Sequence, residues 1–220
     1  MTNTRTSIFK AIPVLALALF TGSCSSDLLE ELPENTVITA DVDYTNSDNM
    51  VLPLIGAYAE FYTRGWEGIP LISVRGDDVN AGGLGDQQDF AECDKFNYNK
   101  DYWMYNSLWQ VNFQDIYVME STIDQIKLYE ANNANAALAA QYIAEARTME
   151  AFLLFQNSRV WGDMLIPPSS DPSDLLVTPL STKEEVMQHI SDMMDDAIPN
   201  LPAVHPADRS DIPGGVTKYT

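Results

Sequence analysis

The chain is poor in several things, and each shortage excludes a class of function. Of its 220 residues two are cysteine, Cys24 and Cys93, and two are histidine, His189 and His205. Two thiols cannot build a disulfide framework, and two histidines without further ligands at a useful spacing do not make a His-rich metal site. Cations are scarce as well: 12 Lys and Arg stand against 32 Asp and Glu, for a formal net charge of −20. A polyanion of this kind repels nucleic-acid phosphates and anionic lipid head groups. The main apolar run, Ile12 to Phe20 (IPVLALALF), falls short of the ~20 residues that span a bilayer. No Gly-x-Ser-x-Gly and no phosphate-cradling glycine loop is present. What remains is 45% hydrophobic and 10% aromatic, enough for a real core and for one domain, or one domain plus a tail.

The first residues differ in kind from the rest. Arg5 and Lys10 precede the apolar run, and Thr21-Gly22-Ser23 follow it, so residues 1–23 read as an export signal. Cys24, followed by Ser25-Ser26-Asp27, resembles a bacterial lipoprotein processing site, with Thr21 where that pattern prefers Leu. Cys24 is therefore the candidate lipidation site. No acid occurs before Asp27, so the rest of the chain sets 10 cations against 32 acids, a balance of −22. A lipidated Cys24 leaves Cys93 without an intramolecular partner, which suits a buried small hydrophobe. A Cys24–Cys93 disulfide is the alternative, and it would compete with acylation.

Residues 24–49 are polar and interrupted and read as a lipid-anchored tether, leaving 50–220 for the folded part. Helical spacing of Val51, Leu54, Ile55, Tyr58, Phe61 and Tyr62 predicts a helix over 50–62, capped by Asp48. Residues 63–100 hold six glycines and no sustained period, as expected of a long loop with short elements. A second long helix is predicted over 102–129, with Tyr105, Trp109, Phe113 and Tyr117 as an aromatic ridge expected to serve as core. A third runs over 134–160, alanine-rich, with Leu138, Tyr142, Ala146, Met149, Phe152 and Phe155 on the expected buried side and Gly162 at its end. A fourth opens at a capping box, Ser181-x-x-Glu184, and carries Val186, Ile190, Met193, Ala197 and Ile198 as its apolar stripe. The fold class is mainly α, built from antiparallel helical pairs.

Catalytic and metal motifs were sought and do not hold. Asp41-x-Asp43-x-Thr45 begins like a calcium loop, yet Asn46 replaces the Gly and Leu52 the bidentate Glu. Gly82-Gly83-Leu84-Gly85-Asp86 is a single copy of half a calcium repeat and reads as a flexible loop. Paired carboxylates for glycoside hydrolysis carry no weight among 32 acids. The segment Asp77–Trp103 is different, because it combines amides and carboxylates with aromatic rings. That mixture suits carbohydrate, whose hydroxyls take hydrogen bonds while its apolar face stacks on a ring. Asp77, Asp78, Asn80, Tyr98, Tyr102 and Trp103 are the candidate ligand-binding residues.

The third and fourth helices bear a further pattern. Ala144-Glu-Ala-Arg147, Ala151-Phe-Leu-Leu-Phe155 and Arg159-Val-Trp-Gly-Asp163 resemble a signature of the SusD/RagB family. Ile190-Ser-Asp-Met-Met-Asp-Asp-Ala197 with Leu201-Pro202 is similar to a second family pattern, as are the Leu-Leu-Glu-Glu-Leu-Pro33 lead-in and Gly56-Ala-Tyr58. The resemblance implies tetratricopeptide-like helical pairs with long loops. It implies an outer-membrane, surface-exposed lipoprotein of Bacteroidetes that binds oligosaccharide or another nutrient and delivers it to a TonB-dependent, SusC-like transporter. It implies no enzyme activity, no cofactor and no metal. Family members are considerably longer, so it also implies a chain truncated at its C-terminus. Trp161-Gly-Asp163 reads as structural, without ligand contact. The alternative function is a helical protein-docking module on the outer membrane without glycan binding of its own.

Overall fold

The structure, a computed structural model, describes residues 42–62, 73–82, 87–132 and 134–220, apart from the side chains of Tyr62 and Pro172. The expected export signal, Cys24 and the tether as far as residue 41 lie outside the described residues, as does Gly83-Leu84-Gly85-Asp86. Five α-helices carry the fold: α1 (Val51–Tyr62), α2 (Gln88–Asp94), α3 (Trp103–Ala131), α4 (Ala136–Trp161) and α5 (Lys183–Ala197). Among the described residues there is no strand, only an isolated antiparallel bridge between Met164 and Ser181. The chain is mainly helical and its long helices run as antiparallel pairs, as the sequence pattern predicts.

The chain enters α1 through a 3₁₀ turn, Ser47–Met50. Asn46 caps that turn by accepting the Asp48 N–H, so the expected cap, Asp48, lies inside the turn instead. Just upstream, Tyr44 packs edge-on against Tyr129 of α3, with ring centroids 4.9 Å apart. Residues 43–50 thus lie against the helices and belong to the folded unit, Asp43–Thr220.

Helix α3 has 29 residues and is about 43 Å long at ~1.5 Å per residue. Its buried stripe runs Met104, Leu108, Ile116, Met119, Ile123 and Ile126. The aromatic ridge is not core. Tyr105, Trp109 and Phe113 are half-buried and Tyr117 is exposed. A spacing of four residues advances about 400° around a helix, a drift of ~40° per step, so the ridge winds off the buried face toward solvent.

Helix α4 is the centre of the bundle, contacting α3, α5 and α1. Asn135 caps it, its side-chain oxygen accepting from the N–H groups of Ala137 (3.0 Å) and Leu138 (3.1 Å). Ala139, Ala144, Ala146 and Ala151 are buried, and their small side chains admit the neighbouring helices. With neighbours on several sides, α4 has no single apolar face. Leu153 and Leu154 point inward, whereas Phe152 and Phe155, expected in the core, are 48% and 40% exposed. Phe152 meets Phe61 of α1 edge-on, and Phe155 lies beneath the Arg159 guanidinium.

The Trp161-Gly-Asp163 triplet works as a joint between α4 and α5. Gly162 takes φ +76°, a region other residues avoid, and donates its N–H to Ser158 (3.1 Å). Asp163 then accepts the Lys183 N–H (3.1 Å), and Met164 exchanges both backbone hydrogen bonds with Ser181 (3.0 and 2.8 Å). Because Ser181 is held extended by that bridge, α5 starts one residue later than expected. The capping box is Thr182 with Glu185, not Ser181 with Glu184. Val186, Met193 and Ala197 are buried on α5, Ile190 is half-buried and Ile198 is exposed.

The Ala-Glu-Ala-Arg run of α4 supplies charge to the interior. Glu145, fully buried, accepts from the Tyr58 hydroxyl (2.6 Å) and pairs with Arg209 (2.7 Å). Arg209 also donates to Asp211 (3.0 and 2.8 Å) and to the Val216 carbonyl (2.8 Å). In turn, the Val216 N–H donates to the Tyr58 hydroxyl (2.7 Å). One buried cation thereby fastens residues 209–216 to α1 and α4. Arg147, on another side of α4, bridges Glu120 of α3 and Glu150.

Candidate ligand-binding site

A small satellite core lies apart from the main helix interface and is made by Val74, Phe90, Cys93, Met104 and Leu108. Ala81, Tyr102, Tyr105, Val160 and Trp161 pack over it. Cys93 is fully buried there, its Sγ 3.2 Å from the Tyr105 hydroxyl, which agrees with its reading as a small hydrophobe. Burial, followed by that thiol, raises the Tyr105 phenol above its ordinary pKa, while the Arg75 charge acts in the opposite direction. Tyr105 therefore stays a neutral hydroxyl at physiological pH.

Above this core opens a cavity of about 390 Å³, lined by Arg75, Tyr98, Lys100, Tyr105, Val160 and Trp161. Three aromatic rings on one concavity, with polar groups at its edge, form a surface on which a flat apolar face can stack. The walls are held from behind. Trp161 meets Trp109 edge-on at 5.1 Å, and Trp109 meets Phe113 at 4.4 Å. The half-buried aromatic ridge of α3 thus supports a cavity wall contributed by α4.

Tyr98 reaches the cavity through an unusual helix end. Helix α2 closes with the Phe96 N–H bonded to the Cys93 carbonyl (3.0 Å) and the Asn97 N–H to the Glu92 carbonyl (2.8 Å). This is a Schellman pair, whose hinge residue takes the left-handed conformation and is usually glycine. Here the hinge is Phe96, at φ +59°. Glu92 also collects Asn97 Nδ2 (2.7 Å) and Lys95 Nζ (3.1 Å), and these bonds hold its carboxyl below the usual carboxylate range. The Tyr102 hydroxyl donates to the Asn97 carbonyl (3.1 Å), and the Tyr102 ring stacks on Tyr105 at 6.3 Å.

Of the six residues singled out from the sequence, Tyr98 lines the cavity and Tyr102 stacks on one of its walls. Trp103 is 45% exposed and turns to Phe90, with ring centroids 5.9 Å apart. Asp77, Asp78 and Asn80 lie exposed on the turn after Arg75, and Asn80 accepts the Gly82 N–H (2.9 Å). Among the described residues, Arg75, Lys100, Tyr105, Val160 and Trp161 complete the lining. The sequence reading places Tyr105 in a core ridge and Trp161 in a structural joint without ligand contact, and it singles out none of the other three as a ligand contact. Trp161 and Val160 sit about sixty residues from Tyr98 in the chain. No local pattern joins them.

A second, larger concavity of about 660 Å³ lies over α4, between α3 and α5. Ala140, Ile143 and Ala144 form its floor, with Glu120, Asp192 and Asp196 along its sides. His189 borders it half-buried, and burial followed by the Arg147 charge lowers its pKa, so it is neutral near pH 7. His205 is exposed and caps a 3₁₀ turn through Nδ1. Among the described residues no cluster of His, Cys, Asp and Glu could hold a metal ion, and no helix is long and apolar enough to cross a membrane.

No protein-family model matches the chain, and no curated protein matches its sequence. Solved structures do match the fold. A SusD-like protein from Bacteroides fragilis aligns with a TM-score of 0.65 at 14% identity, over 81% of this chain and 33% of its own. Surface glycan-binding protein A from Bacteroides uniformis aligns at 0.64 and 18%, over 79% and 39%. A laminarin-binding SusD-like protein aligns at 0.61 and 17%, over 79% and 37%. This chain therefore has the SusD-like fold, and it spans roughly a third of the length of the structures it matches.

Proposed function

We propose that this SusD-like chain is a cell-surface, glycan-binding lipoprotein that presents oligosaccharide to a TonB-dependent, SusC-like transporter of the outer membrane. The observation that carries the reading is the cavity framed by Tyr98, Tyr105 and Trp161. Its rings suit the apolar face of a sugar, and its volume suits one or two residues of a saccharide. Two of the matched structures are described as glycan-binding, one of them for laminarin, which supports the ligand class. Binding proceeds by stacking and hydrogen bonding, with no covalent step and no cofactor. Cys24 carries the lipid that anchors the chain. Asp77, Asp78 and Asn80, on the neighbouring exposed turn, and Trp103 supply outer contacts for a longer ligand.

Calorimetric titration with a panel of oligosaccharides tests this reading. The expected result is saturable heat with at least one glycan, weakened by up to about tenfold by Tyr98→Ala, since a lost stacking ring is worth ~0.5–1.5 kcal/mol. Heat that Tyr98→Ala, Trp161→Ala and their combination leave unchanged would remove the cavity from the proposal. Mass spectrometry of the exported protein checks the lipid on Cys24.

The larger groove over Ala140, Ile143 and Ala144 favours a second reading, a docking module for a partner protein. Capture of the transporter by a variant with Tyr98, Tyr102 and Trp103 changed to Ala, together with no glycan binding by the unaltered chain, would favour it.

A further inference from the structure

Cations are rare in this chain, 12 in 220 residues, yet two of the six described residues that line the aromatic cavity are Arg75 and Lys100. The other cations near the helices are mostly engaged with carboxylates. Lys95 pairs with Glu92, Lys127 with Asp124, Arg147 with Glu120 and Glu150, and Arg209 with Glu145 and Asp211. Arg75 and Lys100 have no hydrogen bond or ion pair with any described residue. Arg75 Nε is moreover buried without an acceptor. A buried donor left unmatched is costly, and a guanidinium is the side chain best shaped to take a carboxylate or sulfate through two parallel hydrogen bonds. Among the described residues, the cavity lining contains no acid. Glu92, on the neighbouring helix, is already occupied by Lys95 and Asn97.

Resting on the glycan-binding reading, we infer that this cavity selects a saccharide bearing an isolated anionic group, such as a uronate. The ring faces of Tyr98, Tyr105 and Trp161 take the sugar, and Arg75 with Lys100 take its charge. The net charge of −20 sets the limit on charge density. At long range the chain repels a polyanion, so attraction exists only where the two cations act at contact distance. A neutral chain with a single acidic substituent meets both conditions, and a densely sulfated polymer does not.

The test uses the full chain and pairs of ligands that differ only in charge. Oligosaccharides of glucuronoxylan and of sparsely de-esterified homogalacturonan are each titrated beside their carboxyl-reduced counterparts. Neutral laminarin and xyloglucan oligosaccharides and a heparin oligosaccharide complete the set. The expected result is an acidic member bound about tenfold tighter than its reduced counterpart, the worth of one charge-assisted contact. The Arg75→Gln, Lys100→Gln double variant, with an unchanged thermal midpoint, brings that ratio toward one. Equal or tighter binding of reduced or neutral members overturns the inference and leaves the glycan-binding reading standing. An acidic preference that the double variant keeps removes it from this cavity, and tighter binding of heparin overturns the requirement for an isolated charge. Absence of heat with every member, acidic and neutral, overturns both readings.

Discussion

Replacing Arg209 with Met tests the account of how the bundle holds its last residues. Arg209 is buried, and removing its guanidinium leaves the Glu145 carboxylate, at 0% exposure, with only the Tyr58 hydroxyl and the Gln141 amide (3.0 Å). It also strips the Val216 carbonyl of its donor. Breaking a buried ion pair from one side costs about 3–5 kcal/mol, because an uncompensated charge remains behind. For a domain of this size that lowers the thermal midpoint by roughly 10 °C. The informative comparison is a double variant, Glu145→Leu with Arg209→Met, which removes both charges and substitutes apolar volume. It should recover most of the loss, since such replacements are commonly within ~1–2 kcal/mol of neutral. Urea titration followed by tryptophan fluorescence reads both variants. A loss below about 1 kcal/mol for Arg209→Met, or a double variant as unstable as the single one, would refute the reasoning. Acid titration adds an independent check. The Arg209 guanidinium beside Asp211 holds that carboxyl well below its ordinary range. The stability it contributes is present above the unfolded carboxylate pKa and is lost as pH falls, and Arg209→Met should blunt that loss.

Three further outcomes are expected. Burial pushes the Glu150 carboxyl up to about 8 against the pull of Arg147, so the folded state holds a proton that the unfolded chain has released. Stability from this site is full below about pH 4.5 and falls as pH rises toward 8; Glu150→Gln should flatten that part of a pH–urea series. Thr182→Ala should cost ~1 kcal/mol by removing the cap of α5, whereas Ser181→Ala, whose backbone makes the bridge to Met164, should cost almost nothing by the same assay. Phe96→Gly should stabilise the fold by about 1 kcal/mol, because Phe96 carries the left-handed hinge of a Schellman pair with its side chain largely exposed; a loss of stability would show that its ring contact with Tyr98 matters more.

Much of the helical framework is legible in the residues themselves. Long stretches without Pro or Gly, alanine over 134–151, a Ser-Thr-x-x-Glu region and glycine at 162 mark α3, α4 and α5 to within one to three residues. The errors are instructive because each has one cause. Ser181 is in isolation at least as good a cap as Thr182, and the choice fell to Thr182 because Met164 holds Ser181 extended. The ridge Tyr105, Trp109, Phe113 and Tyr117 has a core-like spacing, but which stripe of a helix is buried depends on its neighbours. Phe152 and Phe155 fail in the same way, since α4 is enclosed on the sides where Leu153 and Leu154 point.

The candidate site was less legible. The mixture of aromatics with polar residues over Asp77–Trp103 led to Tyr98, which lines the cavity proposed as the site. Val160 and Trp161, at the far end of α4, enter only because the satellite core of Val74, Phe90 and Cys93 packs beside them. Lys100 lies within the segment singled out and Arg75 two residues before it, but that segment stands out for its amides, carboxylates and rings, and neither cation does.

By itself, then, the sequence determined the class of the fold, the order and approximate limits of its helices, and an acidic chain with few cations. Those properties follow from local propensity, capping and composition, each read within a turn or two of helix. Tertiary structure alone decided which face of each helix is buried, which carboxylates take Arg147 and Arg209, and which rings meet around one cavity. These are contacts between residues far apart in the chain, and their free energy depends on burial and geometry that no short segment contains.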